Sequence, residues 1–540
     1  MDEADVGMWG TEVERGGGPV PFLVYRQRPS RVTELLEDAQ RWADRDHLVQ
    51  GRRRVTFARM AAAATQVAAY LASQGLRPGD RLLLLARNSP DWVISLWAGL
   101  LLGAVVAPGN QWWNEAEIAH AVGLLGPAVI VADADMAKRL PAGLGPAVVA
   151  MDDVRAAQDA GGPVPVLAPV PTPAPGSEDD PALIIFTAGT TGLPKAAVLA
   201  HRSVIANLHN LMVVSRRLPH QLNTERPPEV ILQSGPLFHI GGTQALLLAM
   251  LGGNTMVFLE GRFDSGQVLD LIERERVTIW GAVPTMAIRV LEDPTRPGRD
   301  LAGVRSISLG GSPVTPEVSA RLREAFPSVR RGVSTIYGMT EAGGTVASAS
   351  GAMMAEHPET AGRPLPVVEL RIENPDAGGA GEIVVRTPAQ MLGYWGEDAP
   401  DVIDDDGWLH TGDLGRIDDG LLYVTGRAKD VIIRGGENIA AAHVEQVLHE
   451  HPAVAAVAVV GLPDPDLGET VGAIVQLRAA ADAAELTAFA AARLARFEVP
   501  ARWRLQYEPL PVTDAGKVAK RQLREYWLSE DDPARKATSS

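Results

Sequence analysis

A buried strand runs directly into a glycine-rich loop in the stretch Ala182–Lys195, which reads ALIIFTAGTTGLPK. Its first six residues are apolar or β-branched, which is typical of a strand covered on both faces of a parallel sheet. The glycines that follow allow backbone N–H groups to face an anion, the threonines add hydroxyl donors, and the lysine adds a positive charge. We therefore predict a phosphate-binding loop that comprises Thr187, Ala188, Gly189, Thr190, Thr191, Gly192 and Lys195.

The loop is neither a Walker A motif nor a Gly-x-Gly-x-x-Gly motif, and a glycine turn beside an exposed lysine is the structural alternative. Lysine usage favours the phosphate site. Only six of the 50 Lys and Arg residues are lysine, so the chain uses arginine for most of its positive charge. A lysine in this loop therefore indicates a specific role.

Composition excludes several classes of function. The 540 residues carry 50 Lys and Arg against 66 Asp and Glu, for a net charge of −16, and they include no cysteine. The acidic balance argues against nucleic acid and against an anionic membrane surface as partners. Without cysteine the chain has no disulfide, thiolate metal site or cysteine nucleophile, so thioester chemistry would need a thiol from another molecule.

Two features predict a cytoplasmic protein without a membrane span. The acidic N-terminus, Met1–Asp5, lacks the basic and apolar regions of a secretory signal. The longest uncharged run, Trp92–Asn114, is apolar only over residues 93–107, which is shorter than the roughly 20 residues that a span needs. We expect a buried helix and then a buried strand there, and a helix, a turn and a strand in Gln244–Leu259.

From about Val32 to Val385, short β-branched or leucine-rich runs alternate with longer alanine-rich helical segments. This alternation predicts layered α/β structure, with Arg81–Leu85 and Val129–Ala132 among the buried strands. Short strands and turns follow Gly381. The C-terminal part forms a small α/β pattern of its own, whose elements are the helix Ile439–His449 and the strand Val454–Val460.

More motifs follow the phosphate loop along the chain. They are Pro236–Gly242 (PLFHIGG), Gly310–Pro313 (GGSP), Tyr337–Glu341 (YGMTE), Trp408–Asp413 (WLHTGD), Gly426–Asp430 (GRAKD), Arg434–Ile439 (RGGENI) and Pro511–Lys517 (PVTDAGK). Each alone could be a turn or a solvated charge. Together and in this order they resemble the class I adenylate-forming enzymes, the superfamily of acyl-CoA synthetases, peptide-synthetase adenylation domains and firefly-type luciferases.

The resemblance covers nearly the whole chain and implies an α/β fold. A large N-terminal domain of stacked α/β layers, with a small β-barrel-like part, would span residues 1–428 and hold the acyl and ATP sites. A small, mobile C-terminal α+β domain would span residues 429–540. Of the branches in the superfamily, the motifs look closest to the acyl-CoA synthetases, and nothing in the sequence favours a luciferase-like oxygenase.

The N-terminal motifs imply an acyl pocket, a nucleotide site and a metal ligand. His239 resembles the residue that gates the acyl pocket, Thr340 would contact the α-phosphate, and Glu341 would hold Mg²⁺. The phosphate loop departs from the family pattern Ser-Gly-Thr-Thr-Gly-x-Pro-Lys-Gly at Ala188 and Ala196, which implies weaker or altered ATP handling rather than inactivity. The adenine site would be formed by Gly310, Gly311, Ser312, Tyr337 and Gly338.

The C-terminal motifs imply the groups that act on the ribose, the transferring phosphoryl group and the thiol. Asp413 and Arg427 would bind the ribose hydroxyls, and Lys429 would be the hinge between the domains. Lys517 resembles the lysine that promotes adenylation. The channel for the thiol would be lined by Gly435, Gly436 and Asn438.

The resemblance implies two half-reactions in one site, with ATP, Mg²⁺ and CoA as cofactors. A carboxylate attacks the α-phosphate of ATP and pyrophosphate leaves, which gives an acyl-adenylate. The small domain then turns about Lys429 so that a thiol can reach the mixed anhydride. That thiol is external because the chain has no cysteine. We expect CoA, and a carrier-protein phosphopantetheine is the alternative acceptor.

The acid is expected to be a hydrophobic small molecule, either a medium-to-long fatty acid or a polycyclic natural-product acid. Trp280 and Phe238 are apolar walls, and the sequence places no cation to fix a second carboxylate or an amino group. Room beside them is predicted from the small residues Gly241, Gly242, Gly281, Gly310 and Gly311.

A non-catalytic acyl or nucleotide binder is the alternative from another class. Only Ala188 encourages that alternative, and Lys517 and Glu341 oppose it. A homodimer is carried as a hypothesis, since nothing in the sequence indicates the oligomeric state.

Overall fold

The computed structural model describes residues 8–18, 20–159, 176–188, 193–309, 316–329, 334–357, 359–396, 402–434, 437–512 and 518–531 of the chain. Their strands are β1 (Val13–Arg15), β2 (Leu23–Tyr25), β3 (Asp46–Gln50), β4 (Arg53–Thr56), β5 (Arg81–Leu85), β6 (Val105–Pro108), β7 (Val129–Ala132), β8 (Ala147–Ala150), β9 (Pro181–Ala188), β10 (Pro194–Ala200), β11 (Val230–Gln233), β12 (Thr255–Phe258), β13 (Ile279–Ala282), β14 (Ser306–Leu309), β15 (Ser334–Met339), β16 (Gly344–Ala349), β17 (Arg363–Pro364), β18 (Glu369–Glu373), β19 (Gly381–Arg386), β20 (Gly393–Tyr394), β21 (Leu409–Asp418), β22 (Leu421–Arg427), β23 (Val431–Arg434), β24 (Glu437–Ala440), β25 (Val454–Asp464), β26 (Gly468–Leu477) and β27 (Arg502–Gln506).

The α-helices of the same ranges are α1 (Glu34–Asp38), α2 (Phe57–Ser73), α3 (Pro90–Leu101), α4 (Glu115–Leu125), α5 (Ala134–Ala137), α6 (Met151–Asp159), α7 (His201–Ser215), α8 (Ile240–Leu251), α9 (Ser265–Arg274), α10 (Pro284–Leu291), α11 (Pro316–Ala325), α12 (Gly351–Glu356), α13 (Ala441–His449), α14 (Ala483–Ala491) and α15 (Lys520–Asp531). Short 3-10 turns occupy Ala39–Trp42, Pro219–Gln221 and Ala428–Asp430.

The described residues form two compact units. The first unit contains residues 8–309, 316–370 and 385–410, and the second contains 371–384 and 411–531, less the ranges that the structure does not describe. The predicted domains, 1–428 and 429–540, stay a prediction.

A seven-stranded sheet in the first unit carries the phosphate-loop strand. Its order is β20-β10-β9-β6-β5-β7-β8, with parallel pairing from β9 to β8 and antiparallel pairing of β10 with both of its neighbours. The side chains of Leu82 to Leu85 are fully buried, as the uninterrupted apolar run predicts. Fully burying one such side chain stabilises the fold by about 1.5–3 kcal/mol. The predicted strands at 81–85 and 129–132 are thus confirmed.

A nine-stranded sheet, also in the first unit, has the order β17-β16-β15-β14-β13-β11-β12-β3-β4. Its strands β3 and β11 to β15 pair in parallel, and the layered α/β fold is confirmed. One glycine here has a clear steric reason. Gly253 has φ +63°, and a Cβ at that position would lie 2.4 Å from the ring of Trp42.

The two long apolar stretches fold as predicted. The first forms α3 and then β6, and the second forms α8, a turn and β12. Helix α3 begins where the side chain of Ser89 accepts a hydrogen bond from the amide of Trp92, with Pro90 in the first turn. Among the described residues, no helix is both long enough and apolar enough to cross a bilayer.

The second unit contains a five-stranded sheet and most of the four-stranded sheet β18-β19-β21-β22. In the five-stranded sheet the order is β24-β23-β26-β25, and β27 pairs in parallel with β26. The helix predicted at 439–449 begins at Ala441 as α13, because Ile439 and Ala440 belong to β24, and β25 extends the predicted strand at 454–460. Val444 and Leu448 of this helix are buried against Val457 and Val459 of β25 in one apolar core.

Candidate active site

The two ends of the predicted phosphate loop lie on neighbouring strands. Thr187 is on β9 and Lys195 is on β10, and the antiparallel register places them directly opposite each other. Both side chains are half-buried. The backbone pairing continues to Ala188 and Pro194, so the strands bring the two predicted phosphate ligands together.

Tyr394 contacts two of the predicted site residues, and no motif in the sequence pointed to it. Its hydroxyl donates a hydrogen bond of 2.9 Å to Oε1 of Glu341. The ammonium of Lys195 lies 4.6 Å from the centre of the same ring, within the range of a cation–π interaction. The predicted metal ligand and the predicted phosphate lysine therefore share one aromatic neighbour.

A tight turn presents Thr340 and Glu341 after β15. The amide of Gly343 donates to the carbonyl of Thr340 over 2.9 Å, and the amide of Met391 donates to the carbonyl of Glu341 over 2.9 Å. Gly343 has φ +73°, and a Cβ there would lie 1.8 Å from the carbonyl oxygen of Ala389. Only glycine fits this turn, and the turn fixes the backbone of both site residues.

Tyr337 and Gly338 lie on β15, where the ladder with β16 shifts register between them. A Cβ at Gly338 would lie 2.0 Å from the carbonyl oxygen of Gly344, so this glycine allows the two strands to approach. The Tyr337 side chain is half-buried. Its ring can offer one face to a base, as the motif predicts.

His239 immediately precedes α8 and lies at the end of an aromatic row. Its ring centre is 4.4 Å from that of Phe238, and the ring of Trp112 meets Phe238 edge-on at 5.5 Å. The next residue, Trp113, packs edge-on at 4.7 Å against Phe186 of the phosphate-loop strand. The tandem tryptophans thus link the acyl-pocket motif to β9. Both lie in the uncharged run Trp92–Asn114, beyond its apolar part at residues 93–107, and no motif predicted a role for them.

In the second unit, Asp413 and Arg427 are opposite residues of the β21–β22 pair. Nε of Arg427 lies 2.9 Å from Oδ1 of Asp413. The carboxylate side chain is 7% exposed, whereas the guanidinium side chain is 44% exposed. The amide of Asp413 also donates to the hydroxyl of Thr411 over 3.1 Å. The two predicted ribose ligands are therefore brought together as an ion pair.

The remaining predicted residues are described only in part or not at all. Lys429 lies in the 3-10 turn Ala428–Asp430, and Asn438 lies on β24 opposite Ile433. Val512 and Val518 form a β-bridge on either side of the segment that contains Lys517. The predicted site residues outside the described part of the chain are Gly189, Thr190, Thr191, Gly192, Gly310, Gly311, Ser312, Gly435, Gly436 and Lys517.

The donor set at Glu341 fits Mg²⁺. This ion prefers carboxylate oxygens, and Glu341 offers one on a rigid turn with Tyr394 orienting it. Among the described residues, the side-chain hydrogen bond to this carboxylate comes from a neutral hydroxyl.

Comparison with known proteins decides the family. The model of the AMP-binding enzyme family matches residues 35–395, and that of the AMP-binding enzyme C-terminal domain matches residues 443–517. The chain belongs to the AMP-binding enzyme family. It is an ATP-dependent, AMP-forming acid–CoA ligase, an acyl-CoA synthetase that uses ATP, Mg²⁺ and CoA.

Individual relatives of this AMP-binding enzyme are similar over most of their length. A feruloyl-CoA synthase of an Amycolatopsis species is 34% identical over 481 residues, which cover 87% of this chain and 93% of that one. The fatty acid–[acyl-carrier-protein] ligase ScoC of Streptomyces coeruleorubidus is 32% identical, over 90% of this chain and 93% of that one. The o-succinylbenzoate CoA synthetase of Bacillus subtilis, solved with its acyl-adenylate, is 30% identical and superposes with a TM-score of 0.76, over 91% of this chain and 97% of that one.

Proposed function

We propose that this acid–CoA ligase activates a hydrophobic carboxylic acid at the aromatic row beside His239. This row carries the proposal: Phe238 is almost fully buried between His239 and Trp112, and Trp112 is 38% exposed. An aromatic row that runs from an exposed ring to a buried one offers apolar contact along the length of a bulky acid.

The glycines predicted to leave room for the acid differ in what they allow. A Cβ at Gly241 would meet no atom within 4 Å, and one at Gly281 would meet only the side chain of Gln233, at 3.8 Å. A Cβ at Gly242 would lie 2.1 Å from the carbonyl oxygen of Pro236, so that glycine serves the turn and not the acid. Among the described glycines, Gly241 and Gly281 leave space for an acid, and Gly310 and Gly311 lie outside the described residues.

The relatives support an acid with apolar bulk. Their names refer to feruloyl, fatty acid and o-succinylbenzoate groups, all of which are larger than acetate. The described aromatic row suits either a fatty or an aromatic acid, because ring faces and edges pack against both.

In the proposed adenylation step, the first unit holds the phosphates. Lys195 and Thr187 would bind phosphate oxygens from opposite strands, Thr340 would bind the α-phosphate, and Glu341 would hold Mg²⁺. Bound there, Mg²⁺ supplies positive charge that offsets the charge of the phosphate oxygens. Lys517 would meet the charge that develops on the transferring phosphoryl group. His239 would gate the acid. Phosphate contacts are also assigned to Ala188, Gly189, Thr190, Thr191 and Gly192.

The other roles complete the proposal. Asp413 and Arg427 would bind the ribose, Lys429 would act as the hinge, and residues 1–428 and 429–540 would be the two functional domains. The thiol channel is assigned to Gly435, Gly436 and Asn438. The adenine site is assigned to Gly310, Gly311, Ser312, Tyr337 and Gly338.

Product analysis tests the acid class. Mass spectrometry of reactions with ATP, Mg²⁺ and CoA is expected to find CoA thioesters of decanoic acid and of larger apolar acids, and little product from acetate or amino acids. Turnover of acetate or an amino acid alone would contradict the proposal.

Replacing Trp112 by Ala is expected to raise the KM of the best acid about 10-fold, the effect of losing an apolar contact of 1–2 kcal/mol. Val214→Ala, an exposed apolar truncation at the end of α7, is the matched control.

The role of Lys517 is tested by separating the half-reactions. Lys517→Ala is expected to slow pyrophosphate release about 10²–10³-fold, because a charge aimed at the transition state is lost. Thioester formation from supplied acyl-adenylate is expected to change little. Equal loss in both steps would refute this assignment.

Carrier-protein loading is the second candidate function, and the similarity to ScoC favours it. Replacing CoA by a phosphopantetheinylated carrier protein in the same reactions distinguishes the two acceptors. The homodimer and the cytoplasmic location stay predictions, to be checked by light scattering and by fractionation of the source cells.

A further inference from the structure

Tyr394 lies on a strand of two residues at the edge of the seven-stranded sheet. Its partner in the ladder is Ala197 of β10, two residues after Lys195. The amides on either side of it also donate to β10: that of Leu392 to Val198 and that of Trp395 to Ala196, each over 2.8 Å. The backbone of Tyr394 is therefore fixed to the strand that carries the phosphate lysine.

The same short segment is also fixed to the turn that carries the metal ligand. The amide of Met391 donates to the backbone carbonyl of Glu341, and the hydroxyl of Tyr394 donates to its carboxylate. One segment thus holds the main chain and the side chain of Glu341 and lies against the ammonium of Lys195. Motion of any one of the three side chains would disturb the other two.

The chemistry of the phenol suits this position. A hydroxyl that donates to one carboxylate oxygen orients the group and leaves its negative charge for a cation, whereas a lysine or arginine in its place would neutralise that charge. The ring face attracts an ammonium without removing its positive charge, so the lysine is oriented and stays available to a phosphate.

We infer that Tyr394 is a positioning residue. It holds the side chains of Glu341 and Lys195 in fixed positions relative to each other, so that the metal and the phosphates bind together. The inference rests on the proposed roles of Glu341 and Lys195. It adds a residue that acts through Glu341 and Lys195. Replacing Tyr394 should therefore raise the Mg²⁺ and ATP concentrations that adenylation requires. It should leave the KM of the acid unchanged.

Two substitutions separate the two contacts. Tyr394→Phe removes the hydroxyl and keeps the ring. It is expected to raise the Mg²⁺ concentration for half-maximal ATP binding, measured by titration calorimetry without acid, about 10-fold, as loss of a metal ligand's hydrogen-bond partner does. The Mg²⁺ concentration for half-maximal pyrophosphate release should rise by the same factor. The KM of ATP at saturating Mg²⁺ should change less than about 2-fold. Tyr394→Leu removes both contacts and should also raise that KM about 5-fold. The KM of the acid should be unchanged in both variants, a pattern that a general loss of packing would not give.

Controls distinguish failure of this inference from failure of the proposed site. Glu341→Gln must itself raise the Mg²⁺ requirement; if it does not, the proposed role of Glu341 fails. If it does and Tyr394→Phe does not, the inference about Tyr394 fails. In the double variant, Tyr394→Phe should add no further Mg²⁺ effect, and an additive effect would overturn the coupling. Tyr70→Phe, on α2 away from the site residues, should behave as the unsubstituted enzyme.

Discussion

Two site carboxylates, one in each unit, are held by different kinds of donor. Glu341 accepts a hydrogen bond from the neutral hydroxyl of Tyr394. Asp413 forms an ion pair with the charged guanidinium of Arg427, whose Nε lies 2.9 Å from its Oδ1, and the Asp413 side chain is almost fully buried. Both are fixed to a backbone turn or ladder, so the difference lies in charge and not in rigidity.

The difference matches what each carboxylate is proposed to bind. A ligand for a divalent cation needs its full negative charge, and a neutral donor preserves that charge. A carboxylate that accepts hydrogen bonds from ribose hydroxyls meets no cationic substrate, so a protein cation must offset its burial. The difference in charge pairing therefore agrees with the proposed metal role of Glu341 and the proposed ribose role of Asp413.

The largest expected effect comes from removing the charge of each carboxylate in turn. Glu341→Gln is expected to lower kcat/KM of adenylation about 10³-fold, because charge stabilisation at the phosphates is lost. Asp413→Asn is expected to raise the KM of ATP about 10-fold, which is the loss of one charge-assisted hydrogen bond. Only Glu341→Gln should change the Mg²⁺ dependence. Steady-state pyrophosphate release over a matrix of ATP and Mg²⁺ concentrations measures both, and a Mg²⁺ effect confined to Asp413→Asn would invert the comparison.

The contrast between these carboxylates also shows what a sequence can and cannot predict. The buried strands were predictable because uninterrupted apolar runs such as Arg81–Leu85 have one stable environment. Glu341, Asp413 and Lys195 could be selected as candidates because they lie in local motifs, and their roles stay predictions. Tyr394 was not, since a strand of two residues has no periodicity and its partner Glu341 is 53 positions away.

Glycine was a second source of error, because sequence does not reveal why a position excludes a side chain. Gly242 was interpreted as room for the acid, and its neighbour is the backbone of its own turn. Gly241, beside it, does border open space. The distinction depends on the path of the folded backbone, which the amino-acid sequence alone does not show.

A third carboxylate extends the comparison to stability in the second unit. Glu445 of α13 lies 2.8 Å from the ammonium of Lys520 and accepts a hydrogen bond from the amide of Val459. Burial raises the pKa of Glu445, and the lysine opposes that shift. Lys520→Met is expected to lower the free energy of unfolding by about 3 kcal/mol at pH 8, the low end for a broken buried pair, because a quarter of the lysine side chain is exposed.

The loss should shrink towards pH 5, where the unpaired Glu445 can be protonated in the folded state. Hydrogen exchange of the α13 and β25 amides measures it. Arg521→Ala is the control: it breaks an exposed pair with Glu525 on α15, the helix that begins at Lys520, and should cost less than about 1 kcal/mol. Equal losses in the two variants, or a loss that grows in acid, would contradict the role of the buried pair.

The first unit buries neutral histidines, and acid should therefore weaken it. Burial lowers the pKa of His47 and of His209 to about 4, and burial together with Arg31 does the same for His201. Between about pH 6.5 and 4 the unfolded chain binds protons that the folded chain does not, so stability is complete above that window and falls as the pH is lowered through it. Each histidine should contribute on the order of 2 kcal/mol.

Tryptophan fluorescence in urea measures this loss, since nine of the 11 tryptophans belong to the first unit. Midpoints between pH 7.5 and 5.5 avoid the titration range of most carboxylates. His47→Asn keeps a donor for the carbonyl of Asn254 and should flatten the pH dependence, and His443→Asn, at a half-exposed site in the second unit, is the matched control. If the urea midpoint depends on pH equally in His47→Asn and in the unsubstituted enzyme, His47 does not contribute to the loss of stability in acid.

The smallest effect is expected from restoring a neutral donor to the phosphate loop. Ala188 ends β9 opposite Pro194, where the family pattern has serine. If neutral donors at this site orient charged partners, as Tyr394 does for Glu341, Ala188→Ser should add one hydroxyl donor for a phosphate oxygen and lower the KM of ATP about 3–10-fold, which corresponds to one hydrogen bond of about 1 kcal/mol. The Mg²⁺ requirement and the KM of the acid should stay constant. Ala196→Gly restores the other departure from the pattern without adding a donor, so an equal gain from that substitution would attribute the effect to the backbone of the loop and not to the hydroxyl.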